Sequence, residues 1–278
     1  LVSMALQQSD FDFVQKLVQK KAAIVLDNGK QYFVESRLTP LAQNTGHDSI
    51  EKLILALRKN PHDSRMVEQV VEAITIHETS FFRDVHPFKC MKEVVMPSLL
   101  EKRASQHTLN LWCAACSSGQ EPYTVTMLLR ENFPQLQSWN VRFIATDISN
   151  QILGRARDGK FSQLEVNRGL PAPMLLKHFE KQGLEWQIKP QLRSSIEFRK
   201  LNLIDNWPPM PKMDVVFLRN VLIYFDVETK RRILGEVRKL LNPDGFLFLG
   251  AAEMPMSIDN AFERIDYPRS GCYKLRQT

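Results

Sequence analysis

One stretch near the middle of the chain, residues 109–123, constrains the fold most. Its apolar first half, residues 109–114, stops abruptly in Ala-Cys-Ser-Ser-Gly, and an amphipathic segment follows Pro122. This order is typical of a β-strand, a tight turn and the first turn of a helix, where proline is tolerated because its missing N–H would be unpaired anyway. In α/β proteins such a unit binds nucleotide-like ligands, because small residues let the backbone approach the ligand closely.

The side chains around this turn separate two classes of ligand. Gly119 is the only glycine of the turn, so the G-x-G-x-x-G fingerprint of dinucleotide-binding proteins is absent. Glu121 places a carboxylate there, which suits a positively charged ligand and would repel a pyrophosphate. Asp147 ends the next apolar run, where an acid hydrogen-bonds the ribose hydroxyls of adenosine ligands; the alternative is that it only caps a helix starting near Ser149. Together these features favour S-adenosylmethionine, which carries an ammonium group and no phosphate, over NAD.

The same stretch contains Trp112-Cys-Ala-Ala-Cys116, which has the W-C-x-x-C shape of thioredoxin-type redox motifs. In a thioredoxin the helix should begin at the first cysteine. Here residues 117–119 keep the chain in a loop, which favours Cys113 as the end of a buried strand and Cys116 as a small turn residue. Four cysteines in 278 residues suggest no disulfide framework, and the six histidines show no spacing that predicts a metal site.

The hydrophobic pattern changes along the chain at about residue 85. Residues 1–85 contain four amphipathic segments, which predict a small helical domain. Residues 86–278 alternate short apolar runs with amphipathic segments, which predicts a mostly parallel sheet covered by helices on both faces. Residues 161–200 interrupt this alternation with a helix, predicted over 172–181, and two short strand-like pieces. We interpret this segment as a small β-rich insertion.

Composition limits the partners and the compartment. The net charge of +6 favours an acidic partner but is too small to indicate nucleic acid by itself. Hydrophobic residues make up 44% and charged residues 24% of the chain, as in folded soluble proteins. No apolar run approaches the length of a membrane span and no signal-peptide pattern opens the chain, so we expect no direct membrane insertion. The few cysteines suit the reducing cytoplasm, and a monomer is the default expectation.

Two further motifs carry polar residues that packing alone does not explain. Residues 77–83 read His-Glu-Thr-Ser-Phe-Phe-Arg, and residues 218–226 read Leu-Arg-Asn-Val-Leu-Ile-Tyr-Phe-Asp. Their apolar members suit a core, but Arg83, Arg219 and Asn220 do not. Arg219 and Asn220 directly follow an apolar run, which predicts that they lie on the ligand-binding rim of the sheet.

Six motifs in sequence order, HETSFFRD, AACSSGQEPYT, ATDIS, LNLID, LRNVLIYFD and LNPDGFLFLG, resemble those of the chemoreceptor methyltransferases, the CheR family. The resemblance covers nearly the whole chain. It implies a receptor-facing helical domain over 1–85, followed over 86–278 by a Rossmann-like class I methyltransferase domain that contains the insertion. It also implies methyl transfer from S-adenosylmethionine to glutamates on the cytoplasmic methylation helices of transmembrane chemoreceptors, with S-adenosylhomocysteine as the product. Two positions depart from the family pattern: His77 stands where asparagine is often found, and Gln120 where a second acid is often found.

The resemblance also assigns roles to individual residues. Those that would surround the cofactor are His77, Thr79, Arg83, Ala115, Glu121, Asp147, Asn202, Leu203, Arg219 and Asn220. Arg83 and Tyr224 would flank the reacting centre as catalytic residues. Charge complementarity, rather than the resemblance, suggests the residues that attract the receptor: methylation helices present glutamates and are acidic, and the basic residues available on the helical domain are Lys16, Lys20, Lys21 and Arg37. A solvated helix face is the alternative interpretation of these four, and no metal is implied.

Two other functions stay open at the level of sequence. Asn206-Trp-Pro-Pro-Met210 superficially resembles the N-P-P-Y element of adenine methylases, but we interpret it as a surface loop between strands, because the motif that ends the fourth strand of the main sheet, Arg219 to Tyr224, lacks the two prolines. The other is a non-catalytic module that binds the cofactor as a sensor, against which the presence of Arg83 and Tyr224 argues. The insertion is short and lacks a glycine-rich loop, which favours a form that does not depend on a receptor's C-terminal peptide.

Overall fold

The computed structural model describes residues 6–276 and divides them into two compact units. The first contains residues 6–76 together with Tyr224–Thr229, and the second contains His77–Ile223 and residues 230–276. The first unit is helical, and the second carries both β-sheets. None of the helices within residues 6–276 combines the length and the apolar character that crossing a membrane requires.

The first unit confirms the helical character predicted for this part of the chain. Its helices are α1 (Gln8–Ala22), α2 (Gln31–Asn44), α3 (Ile50–Lys59) and α4 (Ser64–Ile74). Each helix buries the apolar residues that recur at helical spacing, such as Phe11, Val14 and Val18 of α1. Side-chain caps fix two of the starting points, because Ser49 accepts a backbone N–H in the first turn of α3 and Asp63 does so in α4.

A continuous helical run opens the second unit. It consists of α5 (His86–Cys90), a π-helical turn (Met91–Val95) and α6 (Met96–Lys102). The remaining helices and strands, in chain order, are β1 (Thr108–Ala114), α7 (Gln120–Asn132), β2 (Asn140–Asp147), α8 (Asn150–Asp158), β3 (Lys160–Ser162), α9 (Gln163–Asn167), α10 (Ala172–His178), β4 (Phe179–Gln182), β5 (Glu185–Ile188), α11 (Pro190–Arg193), β6 (Glu197–Lys200), β7 (Met213–Leu218), α12 (Val227–Leu240), β8 (Leu241–Leu249), β9 (Phe262–Arg264) and β10 (Cys272–Leu275).

The main sheet of the second unit has seven strands in the order β6–β2–β1–β7–β8–β10–β9. The first five of these run parallel to one another, and β10 is antiparallel to both β8 and β9. Every residue of β7 is buried, as expected for a central strand covered on both faces. The predicted α/β architecture, a mostly parallel sheet in a domain that follows a helical domain in the chain, is confirmed, and the parallel strands direct their carboxyl ends to one edge.

The insertion forms a separate antiparallel sheet in the order β3–β5–β4. Two details differ from the sequence-based expectation. The helix predicted over 172–181 ends at His178, because residues 179–182 pair with β5 as a strand. The strand-like piece near 196–198 becomes β6 and pairs with β2, so it belongs to the main sheet. Short apolar runs identify a strand but not its partner.

A partly buried ion cluster holds the main sheet at the edge opposite to the carboxyl ends. The Arg103 guanidinium donates to Asp214 Oδ1 from Nε and Nη2 at 3.0 and 2.8 Å, and to the Asp244 carboxylate from Nη1 and Nη2 at 3.0 and 2.6 Å. Asp214 also accepts the backbone N–H of Asn110 and the side-chain amide of Asn242, both at 2.8 Å. Hydrogen bonding to Arg103 lowers the pKa of Asp244. This cluster therefore joins α6 to the strands at the edge away from the predicted site.

Candidate functional site

Backbone strain is concentrated in three loops of the second unit. Of the nine non-glycine residues with positive φ among residues 6–276, six lie in these loops. They are Phe82, Asp84, Val85, Ala115, Ser117 and Asn220. Such conformations cost free energy for residues with a Cβ, and they persist where the surrounding structure imposes them, often at functional sites. The segment after His77, the turn after β1 and the end of β7 are therefore the first places to look for a site.

The turn after β1 adopts the close-approach geometry that the sequence predicts. Ala115, Ser117 and Gly119 alternate in the left-handed region, with φ of 54°, 52° and 94°. At residue 119 a Cβ would lie 3.0 Å from the ring of Tyr123, so glycine is needed both for φ and for space. Helix α7 begins at the next residue and has Glu121 in its first turn. The turn therefore presents small residues and a helix N-terminus at the carboxyl end of β1.

Asp147 ends β2 beside this turn, and both of its carboxylate oxygens hold backbone groups. Oδ2 accepts the N–H of Ser117 at 2.8 Å, and Oδ1 accepts the N–H of Ser149 at 3.1 Å. Asp147 is only 4% exposed, and burial raises its pKa against the opposing effects of the His77 charge and of the backbone N–H groups. The side-chain cap of α8 is Ser149, which accepts the N–H of Ile152, and the Asp147 carboxylate connects the turn after β1 to the loop before α8.

Arg219 is buried and lies at the centre of a charge network. Its Nη1 is hydrogen-bonded to Glu121 Oε2, and its Nη2 donates to Asp84 Oδ2 at 2.7 Å and to the carbonyl oxygen of Arg83 at 3.0 Å. The guanidinium also lies 5.5 Å from the ring centre of Phe88. The Nε of Arg219 is buried and has no hydrogen-bond partner within residues 6–276. An unpaired buried donor is rare in folded proteins, and a ligand acceptor would satisfy it.

The prediction placed Glu121 and Arg219 at the cofactor, and the structure adds that they pair with each other. Asp84 was missed, because its partner stands 135 positions away in the sequence. Its only sequence signal is that it directly follows Arg83. Glu121 therefore already forms an ion pair with Arg219, but its carboxylate can accept further hydrogen bonds.

Arg83 lies in the strained segment between Phe82 and Val85. Its Nη1 donates to the carbonyl oxygen of Glu78 at 2.8 Å, which leaves other N–H groups of the guanidinium for a further acceptor. Arg168 forms a hydrogen bond of 2.5 Å with Glu78 and is the main cause of the lowered pKa of that carboxyl. The side chain of Arg83 is half-buried. It is thus a fixed but accessible cation.

The segment around His77 is attached to the same turn. The Ser117 hydroxyl donates to the carbonyl oxygen of His77 at 2.8 Å. The backbone N–H of Phe82 donates to the hydroxyl of Thr124 in α7 at 3.2 Å. Thr79 lies between these two anchors and is half-buried. Residues 77–85, which the sequence pattern groups with the N-terminal helices, therefore lie with the second unit.

Asn202 and Leu203 lie at the carboxyl end of β6, next to the end of β2. The N–H of Leu201 donates to the carbonyl oxygen of Asp147 at 2.9 Å, which brings the two residues that follow it to this edge. Leu203 is 8% exposed, and its carbonyl oxygen accepts the indole N–H of Trp207. Trp207 belongs to the Asn-Trp-Pro-Pro-Met sequence, which forms a loop between β6 and β7 and packs an indole ring against Trp112.

Asn220, the last residue of the predicted set, follows Arg219 with φ of 58°. Its backbone N–H donates to Glu253, a buried carboxylate that the sequence-based prediction missed. Glu253 comes shortly after the buried strand β8. An acid just beyond a buried strand is the signal that pointed to Asp147, so it also marked Glu253.

The cysteines of the turn are buried thiols. Cys113 Sγ donates to Glu121 Oε1 at 3.2 Å, and burial raises the pKa of both Cys113 and Cys116 well above the ordinary value. Protonated, buried thiols are poor nucleophiles. This supports the interpretation of the pair as strand and turn residues.

All ten predicted cofactor residues lie in the second unit, and hydrogen bonds connect the segments that carry them. The predicted catalytic residue Tyr224 and the predicted substrate-binding residues lie in the first unit. The carbonyl oxygen of Tyr224 accepts the N–H of Val25 at 2.9 Å, and its side chain is half-buried. The predicted substrate-binding residues, all exposed, are Lys16, Lys20, Lys21 and Arg37. Arg37 stacks on the ring of Phe33, 5.4 Å from its centre.

These groups fit S-adenosylmethionine. Asp147 can accept from ribose hydroxyls, Glu121 can accept from the ammonium group, and the unpaired Nε of Arg219 can donate to the carboxylate of the amino-acid moiety. The fit rests on a buried donor that the described residues leave unpaired and on a turn whose backbone a ligand can approach closely.

The comparisons with known proteins agree with this chemistry. Residues 9–75 match the family model for the CheR methyltransferase all-alpha domain, and residues 77–270 match that for the CheR methyltransferase SAM binding domain. The chain is 39% identical to chemotaxis protein methyltransferase 1 of Pseudomonas aeruginosa, with 98% of this chain and 100% of that protein covered. It is 38% identical to chemotaxis protein methyltransferase Cher2 of Pseudomonas putida (92% and 94% covered) and 32% identical to the chemotaxis protein methyltransferase of Vibrio parahaemolyticus (99% and 100%). The resemblance seen in the sequence is confirmed, and the chain belongs to the CheR family of S-adenosylmethionine-dependent methyltransferases.

Proposed function

We propose that this protein transfers the methyl group of S-adenosylmethionine to glutamate side chains of chemotaxis receptors, giving glutamate methyl esters. The observation that supports this best is the position of Arg83. Its main chain is hydrogen-bonded to Arg219, which is itself paired with Glu121 at the start of α7. A half-buried guanidinium with free N–H groups is thereby fixed beside the proposed cofactor residues, where it can orient a carboxylate as a two-pronged donor.

The substrate needs little chemical activation. A glutamate side chain has an ordinary pKa of about 4.3, so it is ionised near neutral pH and needs no general base. When bound, S-adenosylmethionine supplies a methyl group on a positively charged sulfur. The contribution of the protein is therefore to position the carboxylate and to keep water away. Arg83 holds the carboxylate without neutralising it fully, and Tyr224 donates a hydrogen bond and excludes water.

The cofactor is held by the carboxyl edge of the main sheet. In this proposal Asp147 binds the ribose, Glu121 and Arg219 bind the amino-acid moiety, and the backbone at Ala115 approaches the ligand. The remaining residues that line the site are His77, Thr79, Asn202, Leu203 and Asn220.

The receptor approaches through the helical domain. A methylation helix that presents glutamates is acidic, and the basic side chains that attract it are Lys16, Lys20, Lys21 and Arg37. Such steering raises the association rate and weakens as salt rises. Because the methylation helices are cytoplasmic, the protein acts in the cytoplasm, and we propose that it does so as a monomer.

Single-turnover methylation at saturating cofactor tests the catalytic assignment. Arg83→Lys keeps the charge but loses the two-pronged geometry, and Tyr224→Phe removes only the hydroxyl. Each is expected to lower the rate by about 100-fold, because the interaction matters most in the transition state. S-adenosylhomocysteine affinity should change much less.

Two matched substitutions serve as controls. Arg142→Lys changes an exposed arginine of β2, and Tyr267→Phe removes a hydroxyl that donates to Glu93. Both should keep the wild-type rate. Wild-type rates in the Arg83 and Tyr224 variants would show that these side chains only pack the site.

A further inference from the structure

We propose that Glu253 is a positioning residue for methyl transfer: its buried carboxylate holds the loop after β7 in the conformation that sets Arg219 and Asn220 at the cofactor. The consequence for catalysis rests on the proposed function, whereas the hydrogen bonding itself can be tested without it.

The carboxylate of Glu253 accepts hydrogen bonds from three backbone N–H groups. Oε2 accepts the N–H of Asn220 at 2.8 Å and that of Gly250 at 2.6 Å, while Oε1 accepts the N–H of Ile223 at 3.3 Å. Glu253 is 5% exposed. Within residues 6–276 its hydrogen-bond donors are all backbone N–H groups. Burying a charge in this way is costly unless hydrogen bonds compensate it, so the arrangement calls for an explanation beyond packing.

The conformation of Asn220 supplies that explanation. Asn220 has φ of 58°, a left-handed conformation that a residue with a side chain adopts at a cost. Its N–H can meet Glu253 in this conformation, and the carboxylate therefore stabilises the turn at the end of β7. The preceding residue is Arg219, whose guanidinium contacts both Glu121 and Asp84. A shift of Asn220 would thus move the two adjacent residues that we assign to the cofactor.

The loop after β8 is fitted closely to this arrangement. The N–H of Glu253 donates to the carbonyl oxygen of Gly250 at 2.9 Å, which folds the carboxylate back over the end of the strand. A Cβ on Gly250 would lie 2.7 Å from Asn220 Nδ2 and 2.7 Å from Glu253 Oε2. Glycine at this position therefore lets the two strand-end loops approach each other, with the carboxylate between them.

Glu253→Gln is the direct test, and Asp214→Asn is its matched control. Both wild-type carboxylates are buried and both accept a backbone N–H, but Asp214 lies near the opposite end of β7. Three measurements are made on each full-length variant: amide hydrogen exchange, S-adenosylhomocysteine affinity and the single-turnover methylation rate at saturating cofactor.

In Glu253→Gln we expect faster hydrogen exchange of the Asn220 and Gly250 amides. The methylation rate should fall by roughly ten- to 100-fold, because a small displacement of Arg219 and Asn220 would misplace the cofactor relative to the substrate carboxylate. Asp214→Asn should lower thermal stability while leaving the rate and those two amides unchanged. If Glu253→Gln does not fold, Gly250→Ala replaces it, since the added Cβ presses on Asn220 and Glu253 without removing the carboxylate.

A wild-type rate at saturating cofactor in a folded Glu253→Gln or Gly250→Ala protein would overturn the proposal. So would an equal loss of rate in Asp214→Asn, since the effect would then be one of general stability. If the wild-type protein methylated no receptor glutamate, the proposed function would fail, but amide exchange and S-adenosylhomocysteine affinity would still decide whether Glu253 positions the loop.

Discussion

Asp147→Asn perturbs the proposed cofactor site at a buried acidic group and keeps the side-chain volume. The carboxylate receives N–H groups from Ser117 and Ser149 and has acceptor capacity left for ribose hydroxyls. An asparagine keeps only one oxygen as an acceptor. Its NH2 group takes the place of the other oxygen and would face the backbone N–H of Ser117 or Ser149, donor against donor. A hydrogen bond to a charged group contributes about 1.5–3 kcal/mol. We therefore expect the affinity for S-adenosylhomocysteine to fall by roughly ten- to 100-fold.

The free energy of unfolding should respond to Asp147→Asn differently from the affinity for S-adenosylhomocysteine. Burial raises the pKa of Asp147 above its ordinary value of 3.8, so the folded protein binds this proton more tightly than the unfolded chain does. The contribution of Asp147 to the free energy of unfolding therefore falls as pH rises from the unfolded pKa through the folded pKa. Asparagine does not titrate, so this pH dependence disappears in the variant. The variant loses hydrogen bonds to the carboxylate, but it also avoids the free-energy cost of burying a charge, and the two effects offset each other. The melting temperature near neutral pH should change little.

Calorimetric titration with S-adenosylhomocysteine measures the affinity, and thermal unfolding over a pH series measures the stability. Asp158→Asn, an exposed change at the end of α8, is the control and should leave both unchanged. Wild-type affinity in a folded Asp147→Asn protein would refute the assignment of this residue to the ribose.

Three further predictions concern other parts of the molecule. Arg103→Met removes the guanidinium that pairs with the buried Asp214 and the half-buried Asp244, and it should cost about 3 kcal/mol in the free energy of unfolding, measured by urea titration near neutral pH. Hydrogen bonding to Arg103 lowers the pKa of Asp244, so the stability that this ion pair contributes is present above the ordinary pKa of 3.8 and is lost as pH falls through the folded pKa. The difference in unfolding free energy between wild type and Arg103→Met should therefore shrink in acid. A difference that stays constant with pH would contradict this. Reversing the four charges of the helical domain together should slow methylation of the receptor and weaken its dependence on salt; the substitutions are Lys16→Glu, Lys20→Glu, Lys21→Glu and Arg37→Glu. Unchanged kinetics would show that these side chains form only a solvated helix face. Cys113 and Cys116 should react with a thiol reagent only as fast as the protein unfolds, because burial raises the pKa of both thiols, and rapid labelling of the native protein would disprove it.

The positions of the site residues could be predicted where a local pattern determines them. The apolar run before the small-residue turn predicts β1, the turn and α7, and an acid at the end of the next apolar run predicts Asp147. In a parallel sheet the carboxyl ends of the strands share one edge, so the pattern also brings Arg219 to this edge. The structure bears out the fold from which these inferences were drawn.

Partners far apart in sequence could not be predicted in the same way. Glu121 and Arg219 are separated by 98 positions, and their pairing depends on β1 and β7 being neighbours in the sheet. The strand character of residues 179–182 likewise arises from pairing with β5, whereas the local apolar spacing favours a helix. The sequence marks Glu253 only as an acid that follows an apolar run; its role could not be predicted, because the donors Asn220 and Ile223 lie on the loop after β7, which only the folded sheet brings next to it.

The most direct test of the account is to identify the methylated group. The protein is incubated with isotopically labelled S-adenosylmethionine and the cytoplasmic fragment of a chemoreceptor, in parallel with nucleic acid as a competing acceptor, and the products are mapped by mass spectrometry. We expect base-labile methyl esters on receptor glutamates, formed by the wild-type protein and strongly reduced in Arg83→Lys. Label on nucleic acid, or on receptor side chains other than glutamate, would contradict it.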